Sequence, residues 1–140
     1  MILLDTNVIS EPVKPRPEPQ VLAWINSQVI EALHLPSPAL AEWLTGVECL
    51  PAGRRKREME ALIHDLLNEL IGARVLPFDR QAAEEHAKLV ARAAARGKPV
   101  SFADAQIAAI ASVHGFTVAS RDTEPFVAMD IPVINPWTAS

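Results

Sequence analysis

A single cysteine, Cys49, stands among the 140 residues. No internal disulfide can form, and a Cys-rich zinc site is excluded. That usage fits a reducing cytosol, so a cytoplasmic chain is expected. No stretch approaches roughly 18 apolar residues without a charge, so no transmembrane helix and no membrane contact are expected. The opening Met1–Asp5 has no positive start and no long apolar run, which argues against a signal peptide. The four histidines, His34, His64, His86 and His114, are scattered. None lies within one helical turn of another, so no histidine metal site is expected and no histidine is nominated as a general base. Basic charge is not in excess either: 13 Lys and Arg face 17 Asp and Glu, for a net charge of −4. A general nucleic-acid coat protein draws its affinity from phosphate neutralisation, which this balance disfavours. A nuclease that concentrates acids at a cation site remains compatible with it.

What is present is an ordinary globular composition, 49% apolar and 21% charged. The length suits one domain over residues 1–140, able to bury roughly 70% of its unfolded surface without a staple. Strand and helix signals alternate along it. Ile2–Leu4 reads as a buried strand ending at Asp5. Pro12, Pro15, Pro17 and Pro19 make the next stretch a loop. A helix then starts near Pro17–Pro19, with Val21, Leu22, Ile25 and Val29 at helical spacing. Leu33–Leu35 is a second strand. Ser37 reads as a helix N-cap with Pro38 at the first helical position, followed by Leu40, Trp43, Leu44 and Val47 on one stripe. A long helix follows Gly53, carrying Met59, Leu62, Ile63, Leu66, Leu67 and Leu70, and Gly72 closes it. Arg74–Phe78 is a third strand, and Asp79 caps a helix running to Gly97. Ser101 caps another that ends at His114-Gly115. Phe116–Ala119 and Ile131–Ile134 complete five strands. The pattern predicts an α/β fold: an open parallel sheet with helices on both faces. The helices at about 54–71 and 79–96 exceed what crossovers need and read as an added pair, a dimer or partner surface.

Ligands of open α/β sheets sit at the carboxyl ends of the strands. Asp5 ends the first strand there, Glu42 lies one turn into the helix after the second, and Asp122 follows the fourth. Asp104 opens the helix leading back into the fourth strand, so it returns to the same rim. Asp79 follows the third strand, expected at the sheet edge away from the switch point, and is set aside. Each acid has a plainer use as well. Asp104 is a capping partner of Ser101, Glu42 lies off its helix's apolar stripe, Asp122 could start a turn, and Asp5 needs polar company after a buried strand. Their joint placement carries more. Ionised carboxylates crowded together raise one another's pKa, and a divalent cation removes the conflict. With oxygen ligands alone that cation should be hard, Mg²⁺ or Mn²⁺, which suits phosphodiester hydrolysis.

Asp5-Thr6-Asn7, Ser37 through Glu42 with Gly46, Ala103-Asp104 with Ile107-Ala108-Ala109, and Ser120-Arg121-Asp122 with Phe126 resemble the PIN domain. More narrowly, the chain is similar to the VapC toxins. Its opening MILLDTNVISEP, Leu76-Pro77-Phe78-Asp79 and the closing Asn135-Pro136-Trp137 resemble the FitB-like branch. The match runs nearly end to end, with four blocks in order. The resemblance implies a five-stranded parallel sheet and a metal-dependent endoribonuclease whose acids, Asp5, Glu42, Asp104 and Asp122, hold Mg²⁺ or Mn²⁺ and activate a water. Asn7 and Ser120 match positions that support those acids by hydrogen bonding. It also implies a type II toxin, homodimeric, acting on RNA. Such a toxin is held inactive by a VapB- or FitA-like antitoxin and reaches promoter DNA only through it. Two departures stand out: Trp43 replaces a small aliphatic, and the segment before Glu42 lacks the hydroxyl commonly found two residues ahead of it.

Arg54-Arg55-Lys56-Arg57 could guide RNA by its charge, or be a solvated helix start. Trp24, Trp43 and Trp137 read as core or interface residues rather than base-stacking platforms. Two other functions are weighed. A phosphoryl-transfer enzyme of the haloacid-dehalogenase type would need a second acid where Asn7 stands. A binding module that lost catalysis fits poorly with four retained acids.

Overall fold

The computed structural model describes residues 1–139. Five parallel strands run β1 (Ile2–Leu4), β2 (Leu33–Pro36), β3 (Val75–Leu76), β4 (Thr117–Ala119) and β5 (Val133–Ile134). Their order across the sheet is β3-β2-β1-β4-β5. The chain builds outward from β1 to β3 on one side, then returns to begin β4 on the other side of β1. The expected parallel sheet is present, and its switch point lies between β1 and β4. Register there pairs Leu4 with Ala119, and the Asp5 amide donates to the Ala119 carbonyl at 2.9 Å.

Seven α-helices flank the sheet: α1 (Thr6–Ile9), α2 (Pro19–Asn26), α3 (Ser37–Glu48), α4 (Arg54–Leu70), α5 (Arg80–Ala95), α6 (Phe102–His114) and α7 (Glu124–Ala128). The middle of α6 is apolar on nearly every side, Gln106 excepted. Ala105, Ile107, Ala108, Ala109, Ile110 and Ala111 are all buried, as expected of a helix covered on nearly every side. Its alanines let α5 approach through Ala82, Leu89 and Ala93. The core otherwise gathers Leu3, Leu4, Leu35, Val118 and Phe126 from the strands and α7. None of the described helices is long and apolar enough to cross a membrane.

Several local expectations change. Ser37 is the first residue of α3 rather than its cap; Pro36 holds the cap position without a side-chain bond. The Ser37 hydroxyl instead accepts from the Phe78 amide at 3.3 Å, tying α3 to the chain after β3. Leu44 is 45% exposed, and Ala39 takes its place on the buried face with Trp43 and Val47. The second helix begins at Pro19 and ends before Val29, which is exposed. On α4 only Ile63 is fully buried, and Leu62 faces solvent. The two long helices pack mainly on different neighbours: α4 on α3 and the turn Glu11–Val13, α5 on α6. Strand pairing is also shorter than the apolar runs. Arg74 lies outside β3, its guanidinium donating to the Leu33 and Leu70 carbonyls. Helices α1 and α7 lie in stretches that carry no readable period, since four or five residues make barely one turn.

The caps behave as their chemistry dictates. The Asp79 carboxylate accepts from the Ala82 amide at 3.0 Å, and the Ser101 hydroxyl from the Asp104 amide at 3.1 Å. Gly115 closes α6 at φ 70°, a left-handed conformation in which a Cβ would be strained.

Candidate active site

The apolar run of β1 delivers Asp5 to the switch point, where it caps α1. Its carboxylate is 8% exposed. Oδ1 accepts from the Thr6 amide at 2.7 Å and Oδ2 from the Ser120 hydroxyl at 2.7 Å. Ser120 stands one residue past β4, which is why parallel register brings it beside Asp5. It is fully buried and uses all its bonding capacity. Its hydroxyl donates to Asp5 and accepts from the Asn7 amide nitrogen at 3.4 Å and the Asp122 backbone N–H at 3.2 Å. Asn7 completes the lattice, its Oδ1 accepting from the Arg121 amide at 3.2 Å. One buried hydroxyl thus orients Asp5 and the backbone that carries Asp122.

Glu42, exposed on α3, accepts at Oε2 from the Thr6 hydroxyl at 3.2 Å. This answers the departure ahead of Glu42: a hydroxyl arrives from α1 instead of from α3's own first turn. Thr6 is a site residue that sequence reasoning missed, although it lies inside the Asp5-Thr6-Asn7 block. Burial raises the Asp5 pKa above the ordinary aspartate range, against the lowering effect of the Ser120 and Thr6 hydrogen bonds. The negative charges of Asp104 and Glu42 raise it further. The influence of both acids on Asp5 places them in its electrostatic neighbourhood.

A cleft of about 390 Å³ is lined by Asp5, Glu42, Asp104 and Asp122, with Thr6 and Asn7 among the polar groups between them. All four sequence-nominated acids reach it. Asp79 does not, since it caps α5 just after β3, the edge strand. None of Arg54, Arg55, Lys56 and Arg57 lines the cleft. Arg54 pairs with Glu58, and Lys56 donates to the Glu48 carbonyl.

The acids share a cleft rather than a point. Among the described residues, no three carboxylate, imidazole or thiolate side chains stand close enough to ligate one ion together. Asp5 and Glu42 are each held back by their hydroxyl donors, and like charges gain nothing by closing further. The donor set still fits a hard cation. Mg²⁺ keeps several waters and takes one or two carboxylates directly. At about 30 Å³ per water, the cleft has room for a hydrated ion between its acids. No histidine or cysteine lines it.

Glu11 also escaped the sequence reading. It is 3% exposed and belongs to the loop that follows α1. Its pKa is lowered overall. Burial opposes that, but the Lys14 ammonium at 2.8 Å and the Glu18 amide at 3.0 Å outweigh it, with Arg121 adding a weaker pull. Its role is to tie the proline-rich segment to the site's flank.

An open parallel sheet with a carboxylate-lined cleft at its switch point defines an α/β protein whose ligand site is acidic and fed by several strands. Comparison narrows this: the PIN domain family model matches residues 2–132. The chain is 46% identical over 137 residues to VapC ribonuclease Y4jK of Sinorhizobium fredii, covering 98% of each protein. It is 42% identical over 137 residues to Toxin FitB of Neisseria gonorrhoeae, covering 98% of this chain and 99% of that one. A solved structure of FitAB bound to an IR36 DNA fragment superposes with a TM-score of 0.95 at 41% identity, covering 100% of this chain and 98% of that one. The chain belongs to the PIN domain family.

Proposed function

We propose that the chain is a metal-dependent endoribonuclease, the toxin of a type II toxin–antitoxin pair, hydrolysing RNA phosphodiester bonds with Mg²⁺ or Mn²⁺. The observation that carries the reading is the cleft at the switch point, where Asp5, Glu42, Asp104 and Asp122 line one hollow with no basic residue among them. Relatives named as a VapC ribonuclease and as a toxin support the same activity. Residues 1–140 act as one PIN domain in this reading.

Asp5, Glu42, Asp104 and Asp122 would hold the ion. Bound there, it would supply a water of lowered pKa and offset the charge that grows on the phosphate. Everything else falls to the chain's own groups. Ser120 and Thr6 aim the two Asp5 oxygens, the Thr6 hydroxyl orients Glu42, and Asn7 holds Ser120 and the Arg121 amide in place. Such outer partners commonly govern ligand geometry.

The partner is a VapB- or FitA-like antitoxin. The solved FitAB assembly on an IR36 DNA fragment supports a paired, DNA-associated toxin, and in this reading the chain reaches promoter DNA only through the antitoxin. The toxin is read as a cytoplasmic homodimer. The test is direct. Purified chain should cut single-stranded RNA with Mg²⁺ or Mn²⁺ and stop when EDTA is in excess. Cutting that persists in excess EDTA overturns the reading.

Ser120→Ala should raise the metal concentration needed for half-maximal cleavage about 10- to 100-fold. It deletes the donor to Asp5 and strands the Asn7 and Asp122 donors. Ser120→Thr, which keeps the hydroxyl, should recover most of the loss. Metal titrations of the cleavage rate for the two variants decide this; an equal loss in both points to packing instead.

A further inference from the structure

Beside the acidic cleft lies a second, larger cavity of about 540 Å³, between the chain after α5 and the start of α7. Asp122 lines both hollows, so they share a wall. Their chemistry differs. The cleft has four acids and no cation in its lining. The cavity has one cation, Lys98, at one side, an apolar surface that includes Val100 and Val127, the Thr123 hydroxyl, and two carboxylates, Glu124 and the shared Asp122. Val127 is 59% exposed, an uncovered apolar side chain on that surface.

Among the described residues Lys98 is the one basic group in the cavity's lining, and it belongs to the roughly half of the basic residues that make no ion pair. Arg54 and Arg80 are paired with glutamates on their own helices, and Arg92 and Arg96 with Asp130. Lys98 has no carboxylate within ion-pair distance among the described residues, and it is exposed. A polyanion laid across four acids is repelled everywhere except where a cation neutralises it. Its neighbouring phosphates must therefore be held outside the cleft wall. An unpaired ammonium in a cavity that adjoins the acids meets that need. The cavity's volume lies in the range of small-ligand sites. Among the described residues no aromatic lines it, but its apolar surface can take the face of a splayed base in van der Waals contact while its polar groups hydrogen-bond the base edge.

We propose that this cavity seats the nucleotide adjoining the scissile bond of single-stranded RNA, with Lys98 on a backbone phosphate and the base against Val100 and Val127. The inference rests on the ribonuclease reading of the neighbouring cleft.

The experiment compares wild type, Lys98→Gln, Lys98→Arg and Val127→Trp on an unstructured RNA oligonucleotide. Circular dichroism and gel filtration monitor fold and mass. Lys98→Gln should raise KM about tenfold, the weight of one charge-assisted bond, with kcat within about twofold. The slope of log KM against log salt should become shallower by about 0.7, as expected when one phosphate of a single strand is no longer neutralised by the protein. Lys98→Arg should restore both. Val127→Trp, which fills the cavity, should raise KM without changing kcat. An unchanged KM and salt slope in Lys98→Gln overturns the proposal. So does a Val127→Trp variant that alters the oligomeric mass but leaves KM untouched, since the cavity then lies between two copies of the chain. Should Val127→Trp fail to fold, the two Lys98 variants decide alone. The two readings fail separately. RNA binding in EDTA that depends on Lys98, without cleavage under any divalent metal, overturns the ribonuclease and leaves this subsite standing. Metal-dependent cleavage indifferent to Lys98 does the reverse.

Discussion

Asp5→Asn is expected to leave a folded chain whose RNA cleavage falls by on the order of a thousandfold. Asparagine is nearly the same shape and carries no charge. Its oxygen can accept from the Thr6 amide as Oδ1 does now, but its nitrogen then faces a Ser120 oxygen that already accepts from Asn7 and Asp122. One hydrogen bond is lost, a cost of about 1 kcal/mol, and the removal of a buried charge offsets it. What disappears is the negative charge of the one buried acid among the four that line the cleft. Removing one preorganised electrostatic group from an active site commonly costs a hundred- to a thousandfold, roughly, in rate. Because burial disfavours the Asp5 charge, the variant should be no less stable than wild type at neutral pH in the absence of metal. Single-turnover cleavage read beside thermal melts tests both halves. A variant that melts early assigns Asp5 to the structure, and one that still cuts at the wild-type rate removes it from the chemistry.

Stability should also depend on divalent metal in a pH-dependent way. The Asp5 pKa is raised in the folded state, first by burial and then by Asp104 and Glu42 against its two hydrogen bonds. The folded chain thus holds this proton more tightly than the unfolded chain does. Without metal, Asp5's contribution is most favourable below its unfolded pKa and is lost as pH rises through the folded value. A cation needs the ionised carboxylate, so its binding displaces that proton. Saturating Mn²⁺ should accordingly do little to Tm at acid pH, and its effect should grow as pH climbs through the raised Asp5 pKa. At a hundred times Kd the gain is about 2.7 kcal/mol, or roughly 10 °C in a domain of this size. The same melts on Asp5→Asn should show a small, flat response. An equal metal-induced shift in wild type and variant would place the ion elsewhere.

Much of this site is legible residue by residue because its acids follow apolar runs. Asp5 ends Ile2–Leu4 and Asp122 follows Thr117–Ala119, and an acid after a buried strand falls on the carboxyl rim whichever strands are neighbours. Asp104 is legible through its cap, since Ser101 fixes where α6 begins. Asp79 can be set aside for the same kind of reason. Thr6 and Glu11 are harder to find. They sit in or beside a four-residue helix, too short to show a period, and their partners Glu42 and Glu18 are matched by contacts rather than by spacing. The error at Ser37 has a similar origin. A serine before proline at a helix start looks like a cap, but its hydroxyl was claimed by Phe78, 41 residues away.

Hydrophobic period and caps act over a turn or two of chain, so the order of strands and helices, the parallel sheet and the placing of four acids on one rim were settled by local sequence. Which groups touch was settled only by the fold. Ser120 meets Asp5 across 115 residues because β1 and β4 are paired in register, and α5 chose α6 over α4 because alanine faces let those two approach. Lys98 came to share a wall with Asp122 through the path of the chain after α5. Hydrogen bonds, packing and charge act through space at a few ångströms, and chain separation carries no information about that distance until the sheet has formed.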